Sequence, residues 1–168
     1  MTLPPAIALR PMLPADAPLV AAIFRGAIEE LTGEDYSPAQ QEAWMSAADD
    51  EKAFADKLAK DLTLIAAVDR QPVGFASLRN NDHIEMLYVH PHWAGKGVGK
   101  TLVDALETLA AARGTRRITT DASDAAREFF GKRGYAATRR NTVETNGEWL
   151  GNTSMEKRLA PAHKGTLQ

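Results

Sequence analysis

The sequence has no cysteine, no long apolar run and no strong net charge, and each absence excludes a class of protein. Without cysteine, the 168-residue chain can form no disulfide scaffold, no thiolate metal site and no cysteine nucleophile. Its apolar stretches are far shorter than the roughly 20 residues that a membrane helix needs. The N-terminus also lacks the layout of a signal peptide. We therefore expect a cytoplasmic enzyme or binding protein.

The charge is close to balanced, with a formal net charge of −2. This balance and the absence of long lysine or arginine runs argue against nucleic-acid binding. His90 and His92, two of the four histidines, lack the spacing of two ligands one helical turn apart. We therefore expect no metal cofactor.

Periodicity and turn signals predict one α+β domain over residues 1–160 and a flexible tail over 161–168. The predicted elements in chain order are a strand at 7–10, a helix capped by Asp16, a helix opened by Ser37 and Gln40 as a capping box, a helix at 50–60, strands at 62–68, 73–78 and 83–89, a helix at 97–113, a strand at 117–121, a helix from Ser123 to Lys132, and a hairpin with strands at 136–144 and 148–155. The three central strands are joined by short turns, which predicts an antiparallel meander.

The most informative segment is a glycine-rich loop between the last meander strand and the following helix. It reads Ala94-Gly95-Lys96-Gly97-Val98-Gly99-Lys100. Glycines leave backbone amides free to approach a ligand, and the helix N-terminus directs partial positive charge to the same place. The loop therefore predicts a pyrophosphate site, and a glycine-rich turn without a ligand is the alternative.

The same loop differs by one residue from the nucleotide phosphate loop, because Ala94 stands where that loop requires glycine. A nucleotide loop should follow a buried parallel strand in a sheet of alternating strands and helices. Here the preceding strand belongs to a meander, so a nucleotide-binding enzyme is the weaker hypothesis. A Rossmann fold fails for the same reason, since no strand–helix–strand unit opens the chain.

Two motifs make the chain resemble the GCN5-related N-acetyltransferases (GNAT). They are Leu87-Tyr88-Val89-His90-Pro91 with Gly95-Lys96-Gly97-Val98-Gly99, and Ser123-x-x-Ala126-x-x-x-Phe130-x-x-x-Gly134-Tyr135. The order of elements is similar too, so the resemblance spans nearly the whole chain. A narrower similarity to the YafP-like branch rests on Tyr36-Ser37-Pro38, Trp44, Asp121-Ala122-Ser123, Phe129-Phe130 and Gly147-Glu148-Trp149.

The resemblance implies a three-layer α/β/α fold whose mixed, largely antiparallel sheet is splayed between its fourth and fifth strands. It also implies an enzyme that transfers an acetyl group from acetyl-coenzyme A to a primary amine by direct attack in a ternary complex. The acceptor would be a small-molecule or peptide amine, with no metal, nucleic acid or membrane involved, and homodimers are frequent in the family. A coenzyme A-binding sensor without catalysis is the alternative.

For the cofactor, the resemblance implies that the pantetheine arm bonds to the backbone of Leu87, Tyr88 and Val89, as an added strand would. A backbone N–H there would polarise the thioester carbonyl. The loop at 95–100 would hold the pyrophosphate, and Ser123 and Phe130 would also lie at the cofactor.

The chain departs from the family pattern at three positions. Ala94 stands where the family usually has Gln or Arg, and Ser123 stands for a frequent Asn. Phe130 replaces the tyrosine that is often assigned as the acid for the leaving thiolate, and phenylalanine cannot donate a proton. Tyr88 and Tyr36 are candidate replacements for that acid.

A base must take a proton from the attacking amine, and Glu85 and His83 are the candidates. Alternate residues of a strand project to one face, which 83 and 85 would share with Leu87, close to the expected thioester. We prefer Glu85 as the base, with a water molecule as relay. The alternative is that both are ordinary polar residues on a partly solvated sheet face.

For the acceptor pocket we predict Tyr36, Trp44 and Asp121, with Trp149 as a weaker candidate. The two aromatic residues lie on the helical N-terminal segment, which shapes the acceptor side in the family, and core packing is the alternative for them. Asp121 ends a strand beside the splay, where its carboxylate would hold an ammonium group, and a helix cap is its alternative role.

Overall fold

The computed structural model describes residues 6–161, so the predicted flexible tail lies, apart from its first residue, outside the described range. The elements are β1 (Ala8–Pro11), α1 (Ala17–Leu31), α2 (Pro38–Met45), α3 (Glu51–Lys60), β2 (Leu62–Val68), β3 (Gln71–Arg79), β4 (His83–Val89), α4 (Val98–Ala112), β5 (Arg117–Ser123), α5 (Arg127–Lys132), β6 (Ala136–Thr145) and β7 (Glu148–Arg158). No helix within 6–161 is long and apolar enough to cross a membrane.

The seven strands form one mixed sheet in the order β1-β2-β3-β4-β5-β7-β6. All neighbouring pairs are antiparallel except β4 and β5, which run parallel and pair only at His83 with Thr119 and Ile84 with Thr120. From Glu85 onward the facing edge of β4 therefore has no strand partner. The predicted α+β fold, splayed between its fourth and fifth strands, is confirmed. The parallel sheet that a nucleotide phosphate loop requires is not formed by the described strands.

Helices cover both faces of the sheet and complete three layers. α4 packs on one face around Leu102, Leu106 and Ile118, and α1 and α3 pack on the other around Phe24 and Leu58. Each of these side chains is at most 2% exposed, and burying one fully contributes roughly 1.5–3 kcal/mol. The gap between β4 and β5 thus lies in a sheet that is packed on both faces.

Two predicted helix caps have other partners in the structure. The carboxylate of Asp16 accepts two hydrogen bonds from Arg10, at 2.7 and 2.8 Å, and one from the Leu13 N–H at 2.7 Å. It therefore closes the turn before α1 rather than capping that helix. Ser123 belongs to the end of β5, and its hydroxyl accepts from the Ala126 N–H at 3.2 Å in the turn before α5. The spacing of residues in the sequence did not identify these hydrogen-bond partners.

Candidate active site

The glycine-rich loop connects β4 to the N-terminus of α4. Gly95 and Gly97 have φ values of +73° and +89°, in the left-handed region that favours glycine. A Cβ at either position would meet no atom within 4 Å, so the backbone conformation and not the packing requires glycine. α4 begins at Val98, and its first N–H groups have no partner inside the helix. The loop thus presents free donors at the positive end of the helix dipole, which suits an anion.

Two other glycines hold this loop against the rest of the molecule. A Cβ on Gly99 would lie 3.3 Å from the ring of Phe129, so glycine lets α5 approach α4. A Cβ on Gly74 in β3 would lie 2.8 Å from a methyl group of Val98 and 3.1 Å from the Tyr88 carbonyl oxygen. The first turn of α4 can therefore pack directly on the sheet, beside the end of β4.

A cavity of about 660 Å³ opens beside the loop, and we call it the loop-side cavity. Its volume lies within the roughly 300–1,000 Å³ of ligand sites. The predicted cofactor residues that line it are Leu87, Tyr88, Val89, Gly95, Gly97, Gly99, Lys100 and Ser123. The remaining three do not: Val98 is buried in the core, Lys96 lies over the Trp93 ring at 5.3 Å, and Phe130 lines a second cavity.

The charge of the loop-side cavity is positive. Lys100 lies at the loop, and Lys132 and Arg133 lie at the end of α5. The Nη1 atom of Arg133 is buried without a hydrogen-bond partner among the described residues. A donor in that position favours an anionic ligand, because a buried unpaired donor is costly. The free loop amides and these cations fit the diphosphate of coenzyme A.

β4 contains a bulge at Glu85. Leu78 of β3 pairs with Ile84, and the preceding Ser77 pairs with Met86. Glu85 therefore has no partner on β3 and is an extra residue in the strand.

The bulge corrects the prediction about which β4 side chains share a face. Ile84 and Leu87 pack with the α4 cluster, whereas Met86 packs with the cluster of α1 and α3. Residues 83, 85 and 87 do not all share one face, because the extra residue interrupts the alternation. His83 and Glu85 do remain neighbours, with 3.8 Å between Nε2 and Oε2.

The carboxylate of Glu85 has two cationic partners. Arg79 Nη1 lies 2.8 Å from Oε2, and Lys57 Nζ lies 3.5 Å from Oε1. Burial raises the pKa of the nearby Asp61 carboxyl, and the negative charge of Glu85 raises it further. The negative charge of Glu85 is thus compensated by Arg79 and Lys57. Among residues 6–161, no three His, Asp or Glu side chains are arranged to hold a metal ion.

Asp121 has a different environment on the neighbouring strand. Its Oδ1 accepts a hydrogen bond from the Ser154 hydroxyl at 2.7 Å, and its Oδ2 lies 3.9 Å from His83 Nε2. The other ring nitrogen of His83 lies 2.7 Å from the Thr119 hydroxyl. Asp121 lies within β5 and caps no helix, so the alternative role considered for it does not hold.

A second cavity of about 190 Å³ lies on the other side of the gap, and we call it the acceptor-side cavity. Its lining includes Tyr36, Trp44, Glu85, Asp121, Val143 and Leu150. It shares Leu87, Tyr88, Ser123 and Ala126 with the loop-side cavity. The two cavities therefore meet where β4 and β5 have separated. All three predicted acceptor residues and Glu85 line the smaller one, whereas His83 does not line it.

Two tyrosine hydroxyls are held in place at this junction. The Tyr36 hydroxyl donates to the Gly151 carbonyl at 2.6 Å and accepts from the Asp124 N–H at 2.9 Å. The Tyr88 hydroxyl accepts from the indole N–H of Trp44 at 3.1 Å. Burial raises the pKa of both tyrosines. A higher pKa makes each a weaker acid for a leaving thiolate.

An ion pair between Arg140 and Asp124, next to Tyr36, was not apparent from the sequence. The guanidinium of Arg140 donates twice to the Asp124 carboxylate and lowers the pKa of that carboxyl. Arg140 lies so close to Gly151 that a Cβ there would collide with it. No local pattern links these residues, since β6, β7 and the β5–α5 turn meet only in the fold. Trp149, a weaker acceptor candidate, is 61% exposed and does not line the cavity.

Comparisons with known proteins identify the family to which the fold belongs. Residues 32–159 match the acetyltransferase (GNAT) domain family. The chain is 35% identical over 157 residues to the N-acetyltransferase YafP of Escherichia coli K12. The alignment covers 94% of this chain and 98% of YafP. A crystal structure of a GCN5-related N-acetyltransferase from Rhodopseudomonas palustris is 60% identical, with a TM-score of 0.92 over 95% of this chain and 99% of that one.

A more distant structure contains a ligand. PaiA N-acetyltransferase from Thermoplasma acidophilum, solved in complex with coenzyme A, is 19% identical and has a TM-score of 0.75. The alignment covers 91% of this chain and 99% of PaiA. At this identity the likeness concerns the fold alone.

Proposed function

Because the chain belongs to the GNAT family and is an N-acyltransferase, we propose that it transfers an acetyl group from acetyl-coenzyme A to a primary amine by direct attack. The observation that carries this proposal is the meeting of two cavities in the gap between β4 and β5. One cavity is positive and lined by backbone donors, and the other holds carboxylates and aromatic side chains. A donor and an acceptor can therefore meet without a covalent enzyme intermediate.

On the donor side, the free N–H groups at the start of α4 hold the diphosphate, and Lys100 and Arg133 add positive charge. The unpaired edge of β4 from Leu87 to Val89 bonds the pantetheine arm as a strand would. When bound, acetyl-coenzyme A supplies the activated acyl group. A β4 backbone N–H at the junction polarises its carbonyl. The complex of PaiA with coenzyme A supports this choice of donor.

On the acceptor side, Glu85 takes the proton from the amine, with a water molecule as relay. Glu85 lines the acceptor-side cavity whereas His83 does not. The His83 Nε2 lies 3.8 Å from Glu85 Oε2, beyond hydrogen-bond distance, so a proton passes between them only through a water molecule. Phe130 provides no acid for the leaving thiolate. Since a thiol has a pKa of only about 8.5, the thiolate can leave without one.

Two measurements test the proposal. Thermal unfolding with acetyl-coenzyme A should show a raised Tm, because a ligand that binds only the native state stabilises it. Release of free thiol across a panel of primary amines should then detect turnover. Binding without thiol release for any amine would favour the sensor alternative, and absence of binding would refute the family function for this chain.

Glu85→Gln tests the base. We expect a loss of kcat of about 10²–10⁴-fold, the usual contribution of a general base, with the affinity for coenzyme A unchanged. Glu156→Gln, which removes the ion pair between this partly exposed β7 residue and Arg117 of β5, is the matched control and should leave kcat unchanged. Equal rates for Glu85→Gln and the natural protein would assign the base elsewhere.

A further inference from the structure

Among the carboxylates of the acceptor-side cavity, Asp121 alone has no lysine or arginine within 4 Å in the part of the chain described, whereas Glu85 has two. The Ser154 hydroxyl fixes one oxygen of Asp121 at 2.7 Å. The other oxygen faces the ring of His83 at 3.9 Å, beyond hydrogen-bond distance. The Asp121 side chain is half exposed. A fixed carboxylate without a cationic partner at a cavity mouth suits a ligand cation.

The strand register sets the distance from Asp121 to the place of reaction. Ile84 of β4 is level with Thr120 of β5, so Asp121 is one residue beyond that level. Ser123, which lines both cavities at their junction, is two residues further along β5. Two strand residues span about 6.6 Å. A cation at Asp121 and a nitrogen at the junction are thus separated by about 6–7 Å along the strand.

An unbranched chain of four methylenes matches this separation. Extended chains advance about 1.2 Å per bond, so the five bonds between the nitrogens of 1,4-diaminobutane span about 6 Å. The cavity also has apolar side chains at its Ser123 end. Tyr36, Trp44, Val143 and Leu150 are among its lining residues, and Leu150 lies two residues from Asn152, the β7 partner of Ser123. The hydrogen bonds of the Tyr36 hydroxyl hold that ring in place.

The cavity is small, at about 190 Å³, and it joins the loop-side cavity at the residues that line both. A slender methylene chain suits this space. The apolar side chains suit the methylenes, and the carboxylates suit an ammonium group.

We propose that the acceptor is an aliphatic diamine, or a molecule with such a unit. Its distal ammonium pairs with Asp121 while its other amine is acetylated. This inference rests on the proposed function. The near ammonium loses one proton to Glu85 through a water molecule, and the neutral amine attacks the thioester carbonyl. A carbon–nitrogen bond forms, the carbon–sulfur bond breaks, the sulfur leaves as thiolate, and the second nitrogen proton passes to solvent. The products are an N-acetyl diamine and coenzyme A.

The test is kcat/KM for diamines of two to six carbons and for butylamine, measured by thiol release. We expect a maximum at four or five carbons and at least a tenfold preference for 1,4-diaminobutane over butylamine. Free lysine, whose two amines are separated by a similar chain, should be accepted better than lysine blocked at its α-amine. The preference should shrink as salt screens the charge pair.

Variants at Asp121 sharpen the test. Asp121→Asn should lower kcat/KM for 1,4-diaminobutane at least tenfold more than for butylamine, and Asp121→Glu should move the optimum to a shorter diamine. Glu156→Gln, on the adjacent β7, should leave the ratio unchanged. Equal kcat/KM for butylamine and the diamine, or an equal loss of both in Asp121→Asn, would overturn this inference and leave the acetyltransferase function intact. No turnover with any amine would overturn both.

Discussion

The loop-side and acceptor-side cavities meet in one gap, but they are built from different parts of the chain. One wall of the first is formed by backbone groups of a single segment from Val89 to Lys100, held by glycine conformations and a helix terminus, and residues of α1 and α5 complete it. The second is formed by side chains from α2, β4, β5, β6 and β7 that meet only in the folded protein. A backbone site depends on a few glycines, whereas a side-chain site depends on many separate contacts.

The largest expected effect is a loss of coenzyme A affinity at the glycine-rich loop. Gly97→Val places a β-branched residue at φ +89°, which costs more than the roughly 1–2 kcal/mol of a non-glycine residue there, and it covers the free amides. We expect coenzyme A binding to weaken at least tenfold in calorimetry. Gly147→Val is the matched control, with φ +86° in the distant β6–β7 turn. It should lower stability without changing this affinity, and equal weakening in both variants would contradict the backbone site.

A smaller effect is expected on the side-chain site. Tyr36→Phe removes the hydroxyl that joins the Gly151 carbonyl to the Asp124 N–H and should destabilise the fold by about 1–3 kcal/mol. KM for the amine should rise, with the affinity for coenzyme A within about twofold. Tyr135→Phe, which removes a hydroxyl that donates to Glu107 at 2.8 Å, should cost stability without raising KM. An unchanged KM in Tyr36→Phe would show that the hydrogen bonds of the Tyr36 hydroxyl do not shape the acceptor pocket.

The smallest effect concerns the ion pair behind Tyr36. Because Arg140 holds the pKa of Asp124 below its usual value, this carboxyl stabilises the fold above about pH 4, and the contribution is lost as pH falls through the lower, folded-state pKa. Asp124→Asn should therefore reduce the free energy of unfolding at pH 7 and flatten its decline below about pH 4. Urea unfolding between pH 2 and pH 7 measures both. A parallel decline in the variant would show that other carboxyls dominate.

The same contrast decides what could be predicted from the sequence. The loop was predictable because left-handed backbone at Gly95 and Gly97 requires glycine and leaves a local pattern. The splayed sheet followed from the family resemblance. The acceptor residues Tyr36, Trp44 and Asp121 do line one cavity, but their hydrogen-bond partners are far away in sequence and leave no local pattern.

The wrong expectation about the faces of β4 has a specific cause. The letters from His83 to Val89 read as an ordinary strand, and nothing in them marks Glu85 as unpaired. The bulge is defined by the pairing of Ser77 and Leu78 on the neighbouring strand. The alternation of side chains can be read from one strand alone, whereas a bulge is defined only by how that strand pairs with its neighbour.

The bulge has a further consequence for how a charged residue is accommodated in the middle of the sheet. If Glu85 is left out, Ile84, Met86, Leu87 and Tyr88 alternate regularly between the two cores. Glu85 is thus a one-residue insertion that neither core has to accommodate. Bulges also bend and twist their strand, and β4 leaves β5 directly after Ile84. A single inserted position accounts for both the opening and the carboxylate beside it.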